Sequence, residues 1–209
     1  ITSSNVVIKN LKITGTGESH EKADSAILIQ DSNNITIENN RIEDSLFGVS
    51  FERVNRSKII NNYITSKAVD LGLRGDAIKL WYAHDNHIIG NTIEKSRDFV
   101  LWYCSGNTIE NNVGRYNRYS VHFMYAGRNV VKNNLFEFNS VGIFFMFSSG
   151  TTAMNNTIRN SVGSFGVGIG MKDSSDFTLI NNDIVYNARG LYIDQSPFQP
   201  GTINVYKNN

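Results

Sequence analysis

The chain has 209 residues, a nearly balanced charge of +1 and 40% hydrophobic residues. A near-neutral chain lacks the basic excess of a nucleic-acid-binding protein, and it has no apolar run of the roughly 18 residues that a transmembrane helix needs. Its single cysteine, Cys104, excludes an internal disulfide. We expect residues 1–209 to form one elongated domain. Because the chain opens on Ile1 and stops inside a repeat, we expect a fragment of a longer protein that lacks its natural caps.

An asparagine motif recurs along the chain at nearly regular intervals. It has the form apolar-x-apolar-x-Asn-Asn-x-apolar, as in ITIENNRI and KIINNYI. The second asparagine of each copy falls at Asn40, Asn62, Asn91, Asn112, Asn134, Asn156, Asn182 and Asn208. A basic period near 22 residues with alternating apolar positions is typical of a stacked β-solenoid. We expect these asparagines to stack at one corner in a structural role, with amides bonded to each other and to the turns.

A second predicted strand precedes each asparagine motif. Two of its columns are apolar in every copy, and strand alternation directs both columns inward. The first column is Ile27, Val49, Ile78, Val100, Val121, Ile143, Ile169 and Leu191. The second is Ile29, Phe51, Leu80, Trp102, Phe123, Phe145, Met171 and Ile193. With the strands on either side of the asparagine, each repeat turns once around a common axis. The sequence therefore predicts an all-β fold, a right-handed parallel β-helix of about eight rungs.

The longer steps between asparagines indicate four insertions. Segments 15–25 and 66–75 each add about seven residues, and segments 159–167 and 195–201 each add about four. Loops on a rigid scaffold often carry specific contacts.

The outward positions of the middle rungs are unusually apolar. They predict a contiguous surface patch formed by Trp81, Leu101, Tyr103, Tyr125, Phe144 and Phe147. An exposed patch of this kind usually marks a binding surface, so we expect it to dock a partner. The alternative is that the loop 66–75 or a missing C-terminal segment covers it.

Soft metal donors lie within this patch. His122 and Met124 are two residues apart on one strand and should face the same way, and Met146 is expected beside Met124 on the next rung. Imidazole and thioether groups suit Cu(I), which makes these three residues candidate ligands for transient copper. The alternative is that the methionines serve as adaptable packing.

The best acidic and basic cluster comprises Asp70, Arg74 and Asp76, with Arg97 and Asp98 one rung on. Such residues could bind a uronate, or they could form a salt-bridged turn. Many parallel β-helices act on polysaccharides, and that chemistry needs clustered carboxylates or a base beside Arg or Lys. The sequence offers no clear paired arrangement, so we do not expect an enzyme.

The series SVHFMYAGRNVVKNN, SVGIFFMFSSGTTAMNN and GVGIGMKDSSD, with GDAIKLWYAHDNHIIGN upstream, resembles the NosD family. The resemblance implies an exported, periplasmic β-helix protein without catalytic activity. It implies work with an ABC transporter in assembling the copper centre of nitrous oxide reductase, and contact with a copper chaperone or the reductase. The family motif falls on Arg97, Asp98, His122, Met124, Tyr125, Met146, Lys172 and Asp173. The alternative function is a carbohydrate-binding or polysaccharide-acting β-helix.

Overall fold

Three parallel β-sheets run the length of the protein, whose 209 residues are all described by a computed structural model. The first sheet consists of β1 (Val7–Lys9), β4 (Thr36–Glu38), β7 (Lys58–Ile60), β10 (His87–Ile89), β13 (Thr108–Glu110), β16 (Val130–Lys132), β19 (Thr152–Met154), β22 (Thr178–Ile180) and β25 (Val205–Lys207). The second consists of β2 (Lys12–Thr14), β5 (Arg41–Ser45), β8 (Tyr63–Ser66), β11 (Thr92–Glu94), β14 (Val113–Arg115), β17 (Leu135–Glu137), β20 (Thr157–Arg159) and β23 (Asp183–Val185).

The third sheet carries the longer strands and, on its outer face, the candidate functional residues. It consists of β3 (Ser25–Asn33), β6 (Phe47–Asn55), β9 (Ile78–Trp81), β12 (Asp98–Trp102), β15 (Tyr119–Met124), β18 (Val141–Met146), β21 (Val167–Lys172) and β24 (Arg189–Asp194). The only helical element is a short 3-10 turn at Leu71–Leu73.

Every strand pairs in parallel with its counterparts on the neighbouring turns, and all but the terminal strands pair on both sides. Ile88, for example, lies between Ile59 and Ile109 in the first sheet. The chain therefore forms a parallel β-solenoid of about eight turns with a basic period near 22 residues, as the sequence predicted. The interior holds one cluster of 33 buried hydrophobic residues, in which Phe123 and Phe145 stack with ring centroids 5.0 Å apart.

The asparagine ladder is present at a buried corner. The backbone N–H of Asn91 donates to the Asn112 side-chain oxygen at 2.9 Å, and the Asn91 amide group donates to that oxygen at 3.0 Å. Each asparagine thus satisfies polar groups that burial would otherwise leave unpaired. The last position is corrected, because Asn182 bonds to Asn209, not to Asn208.

Two further ladders occupy the other corners. Asn86 bonds to Asn107 and Asn107 to Asn129, while the backbone N–H of Asn117 donates to Asn139. In the sequence these two ladders can be recognised by asparagines that lie five residues before or five residues after an asparagine of the main motif.

The rung at β12 corrects the predicted register. Phe99 pairs with Ile78 and Leu101 with Leu80, so Phe99 and Leu101 face the core, and Leu101 has no exposed surface. The prediction that Leu101 lies in the outer patch, and that Val100 and Trp102 point inward, is wrong. Trp102 is instead on the outer face and is 37% exposed. The four apolar residues in a row hid the alternation, whereas Leu101 keeps the eleven-residue spacing to Asn112 that Phe123 keeps to Asn134.

The four insertions emerge as loops. The first two pack together near one edge of the third sheet, where His20 Nε2 donates a hydrogen bond to the Leu73 carbonyl at 2.9 Å and the His20 ring meets Phe47 edge-on. Buried Lys67 lies 3.8 Å from Asp44. The third loop places Phe165 over the outer face of the third sheet.

Candidate functional site

A cleft of about 190 Å³ opens on the outer face of the third sheet, and we call it the histidine cleft. It is lined by Phe47, Asp76, Lys79, Arg97, Asp98, Val100, Trp102, Arg118, His122 and Met124. Strands β12 and β15 position its centre, because alternation sends His122 and Met124 outward while Val121 and Phe123 fill the core. The sheet thus fixes the directions of the imidazole and the thioether.

His122 is held by a carboxylate on the preceding turn. Its Nδ1 lies 3.4 Å from Asp98 Oδ2, a long hydrogen bond, and the Tyr119 ring packs edge-on at 4.7 Å between centroids. An ionised carboxylate can only accept, so this contact places the imidazole proton on Nδ1. Nε2 is buried and has no hydrogen-bond partner in the protein. His122 as a whole is 6% exposed and lines the cleft.

Asp98 is ionised and anchored. Burial opposes its ionisation, but hydrogen bonds from His122 and from the Arg118 guanidinium outweigh that effect and lower the pKa of Asp98 below its ordinary value. Arg118 Nε donates to Asp98 Oδ1 at 2.9 Å, and the guanidinium also lies 4.7 Å from the Tyr119 ring centre. The arginine fixes the carboxylate, and the carboxylate orients His122.

Asp76 and Arg97 form a second ion pair in the cleft, one turn before Asp98 and Arg118. Arg97 Nε donates to Asp76 Oδ1 at 3.0 Å, and Asp76 is only 5% exposed. Burial raises the pKa of Asp76 to about 6, Arg97 opposes the shift and Asp98 adds to it. Two carboxylates in one cleft therefore titrate far apart. Lys79 lines the same cleft and makes no salt bridge, so its ammonium group is a positive charge that no carboxylate of the cleft neutralises.

The raised pKa of Asp76 predicts a pH dependence of stability. The folded chain holds this proton more tightly than the unfolded chain, so the stabilisation is fully present below pH 3.8 and is lost as the pH rises through about 6. The full shift corresponds to about 3 kcal/mol. We expect Asp76→Asn to flatten the fall in the free energy of unfolding between pH 4 and pH 7, measured by urea titration of metal-free protein. The exposed Asp85→Asn is the matched control, and equal slopes for the two variants would contradict the assignment.

The three predicted copper ligands are only partly brought together. His122 and Met124 line one cleft, and Met146 lies in register with Met124 on the next strand. Met146, however, packs against the small apolar cluster of Val141, Phe144 and Val167 and does not line the cleft. The first two residues therefore form the nucleus of the candidate site.

The predicted aromatic patch divides into three parts. Tyr103, Tyr125 and Phe147 are exposed at a corner, where they stack with Tyr82 at centroid distances of 4.9 to 5.1 Å. Trp81 is half-buried and, with Glu52, Lys79, Trp102 and Tyr103, lines a neighbouring cleft of about 280 Å³, the tryptophan cleft.

The third part, Phe144, corrects the prediction of an open patch. This side chain is only 4% exposed, because it stacks on Tyr119 and meets Phe165 from the third loop. The covering element is thus the loop at 160–166, not the predicted 66–75. With Leu101 in the core, the exposed surface is smaller than the sequence suggested.

The remaining predicted positions lie outside the cleft. Asp70 precedes the 3-10 turn, and Arg74 donates to the carbonyls of Val69 and Lys95, so both organise their loop. Lys172 lies one strand beyond Met146 and 4.0 Å from Asp194, and Asp173 sits at the following turn. Of the predicted acidic and basic cluster, Asp76, Arg97 and Asp98 lie together in the histidine cleft. Asp70 and Arg74 do not line it.

Cys104 is also removed from the outer face. Its thiol is buried in the core and donates to the carbonyls of Leu80 and Trp102 at 3.3 and 3.2 Å. Burial raises the pKa of the Cys104 thiol to about 12, so the thiolate that binds metals is suppressed.

Sequence reasoning missed Arg118 and Tyr119, which complete the surroundings of His122. The available signal was a spacing of 21 residues between Arg97 and Arg118, close to the repeat period, which places the two guanidinium groups on adjacent turns.

The donor set of the cleft fits a soft metal ion. His122, whose Nε2 is buried without a partner, and Met124 line the same cleft, and imidazole and thioether donors suit Cu(I) better than hard cations. The Nδ1 contact with a carboxylate is the arrangement that orients metal-binding histidines. No group of three or more His, Cys, Asp or Glu residues is arranged to hold a metal.

The fold and the site together define a parallel β-helix protein with an imidazole–thioether cleft on its outer face. Comparison with protein families matches residues 60–209 to the family described as periplasmic copper-binding protein (NosD). The chain belongs to this NosD family. No curated protein matches the sequence. None of its helices has the length and apolar character to cross a membrane.

Solved structures share the fold at low identity. DFA-IIIase from Arthrobacter chlorophenolicus A6 in complex with GF2 is 16% identical, with a TM-score of 0.60 over 81% of this chain and 48% of that chain. A mutant of the same protein in complex with DFA-III is 14% identical, with a TM-score of 0.59 over 83% and 45%. The chain therefore spans about half the length of these structures, and the likeness concerns the fold alone.

Proposed function

We propose that this protein is a non-catalytic periplasmic scaffold that holds Cu(I) transiently during assembly of the copper centre of nitrous oxide reductase. The single observation that carries the proposal is that His122, whose buried Nε2 has no hydrogen-bond partner, lines the same cleft as Met124. Family membership supports a periplasmic, copper-related role. Copper is the cargo here, and the protein binds and releases it.

The donor groups of the cleft suit reversible binding of Cu(I). One imidazole and one thioether leave Cu(I) short of a full set of protein ligands, and Met146 on the next strand is the candidate third donor. The cleft opens to solvent beside the exposed aromatic ladder of Tyr82, Tyr103, Tyr125 and Phe147. In this proposal the ladder docks a copper chaperone or the reductase, and an ABC transporter works with the scaffold.

The test of this proposal is an anaerobic titration of the whole chain with Cu(I) in competition with a chromophoric chelator. We expect about one equivalent to bind, and we expect Zn(II) at the same concentration not to displace it, because thioethers favour the softer ion. The proposal would be overturned if no Cu(I) binding were seen at chelator concentrations at which a micromolar affinity can be detected.

A second candidate function is binding or processing of a carbohydrate. It is favoured by the tryptophan cleft, which lies beside the histidine cleft and shares Lys79 and Trp102 with it. The structure also gathers a base, His122, beside Arg118, the pairing that the sequence did not reveal. The fold shared with DFA-IIIase is compatible with this function.

A substitution in the tryptophan cleft distinguishes the two candidate functions. A carbohydrate-binding protein should retain specific glycans on an array and lose them in Trp81→Ala, whereas Cu(I) affinity in that variant should be unchanged. We favour copper because Met124 has no evident use in a sugar site, and because Asp76 and Asp98 are each held by an arginine, which leaves no free carboxylate pair for catalysis.

A further inference from the structure

We propose that the Trp102 indole caps the Cu(I) held by His122 and Met124, so that its ring adds a weak interaction to these two donors and shields the ion from water. This inference rests on the proposed function and assigns a role to a residue outside the expected ligand set. It follows from the corrected register of β12, which turns Trp102 from the core to the outer face.

The position of Trp102 supports the assignment. Trp102 and Met124 are in register on adjacent strands, and Trp102 lines the histidine cleft with His122 and Met124. Adjacent strands of a sheet lie about 4.8 Å apart, and a large aromatic side chain also reaches the diagonal neighbour. Trp102 can therefore contact both the thioether and an ion bound beside it.

The ring faces of the two indoles are occupied differently. The Arg53 guanidinium lies over the Trp81 ring, 5.8 Å from its centre, whereas no arginine or lysine occupies the face of Trp102. An indole face attracts cations more strongly than any other aromatic side chain, and the attraction grows when water is excluded. The free face of Trp102 is thus available to a metal cation at the mouth of the cleft.

Neighbouring contacts hold the Trp102 ring in place. Tyr103 stacks on it with an interplanar angle of 23° and a centroid distance of 6.3 Å, and Tyr103 is itself stacked between Tyr82 and Tyr125. The ladder therefore restrains the ring that closes the copper site, and a partner that docks on the ladder would touch the cap directly.

The experiment uses the fact that the chain has only two tryptophans. Trp81→Phe leaves Trp102 as the only indole, and Trp102→Phe leaves Trp81. We expect about one equivalent of Cu(I) to quench the emission of Trp81→Phe by more than about half and that of Trp102→Phe by less than about a tenth. Cu(I) affinity should fall about three- to tenfold in Trp102→Phe and stay unchanged in Trp81→Phe.

The outcomes distinguish this inference from the proposed function. Binding of about one equivalent of Cu(I) with no quenching of Trp102, or with equal quenching of both indoles, would overturn the cap and leave the His122 and Met124 site standing. Absence of Cu(I) binding in the chelator competition would overturn the site itself, and the cap with it. Unfolding curves measured for both variants serve as the control for a loss of structure.

Discussion

Replacing Asn112 with alanine is expected to destabilise the whole solenoid by about 3–5 kcal/mol, because the side chain makes four hydrogen bonds in a buried corner. Its oxygen accepts from the Asn91 backbone N–H and from the Asn91 side chain at 2.9 and 3.0 Å. Its Nδ2 donates to the Ile88 carbonyl at 2.9 Å and to the Asn134 side chain at 3.1 Å. Alanine removes all four bonds and leaves their partners unpaired away from water.

The neighbouring asparagine provides a matched control. Asn111 is exposed and has a φ of 56°, a left-handed conformation that glycine adopts without strain. Asn111→Gly should therefore change the free energy of unfolding by less than about 1 kcal/mol. Denaturant titration measures both variants, and a loss in Asn112→Ala no larger than that in Asn111→Gly would contradict the structural role of the ladder.

Replacing His122 with leucine is expected to weaken Cu(I) binding by at least about 100-fold, because it removes the only imidazole of the cleft. Leucine suits the apolar surroundings that Tyr119 and Phe144 provide, so the fold should persist. Met124→Leu should cost about tenfold, and Met146→Leu less, since Met146 does not line the cleft.

The control for His122→Leu is His87→Gln, which changes an exposed histidine on the first sheet. Chelator competition at constant pH compares the four variants with the unaltered protein. If His122→Leu binds Cu(I) as tightly as His87→Gln does, the imidazole is not a ligand, and the copper site must be sought elsewhere.

Much of the architecture could be predicted from the sequence, because a solenoid repeats one local solution. Asn40 to Asn182 set the period, and the columns through Ile27 and Ile29 set the inward face. Apart from the last ladder position, where Asn209 takes the place predicted for Asn208, the register failed where Phe99–Trp102 are all apolar, since alternation cannot be recognised in a uniform run.

The candidate site was less accessible to sequence reasoning for a different reason. The repeat period brings Asp76, Asp98 and His122 onto successive turns, but it does not tell which carboxylate meets which arginine, because the ion pairs depend on side-chain directions at the irregular start of each strand. Similarly, the path of the inserted loop that carries Phe165 over Phe144 follows from tertiary packing rather than from local propensity.

The most direct measurement is Cu K-edge X-ray absorption of the whole chain loaded with about one equivalent of Cu(I). A site built from His122 and Met124 predicts a first shell that contains both a nitrogen of imidazole type and at least one sulfur, with the sulfur contribution reduced in Met124→Leu and the imidazole pattern lost in His122→Leu. A first shell of oxygen and nitrogen alone, unchanged by either substitution, would contradict the copper site on the outer face of this β-helix.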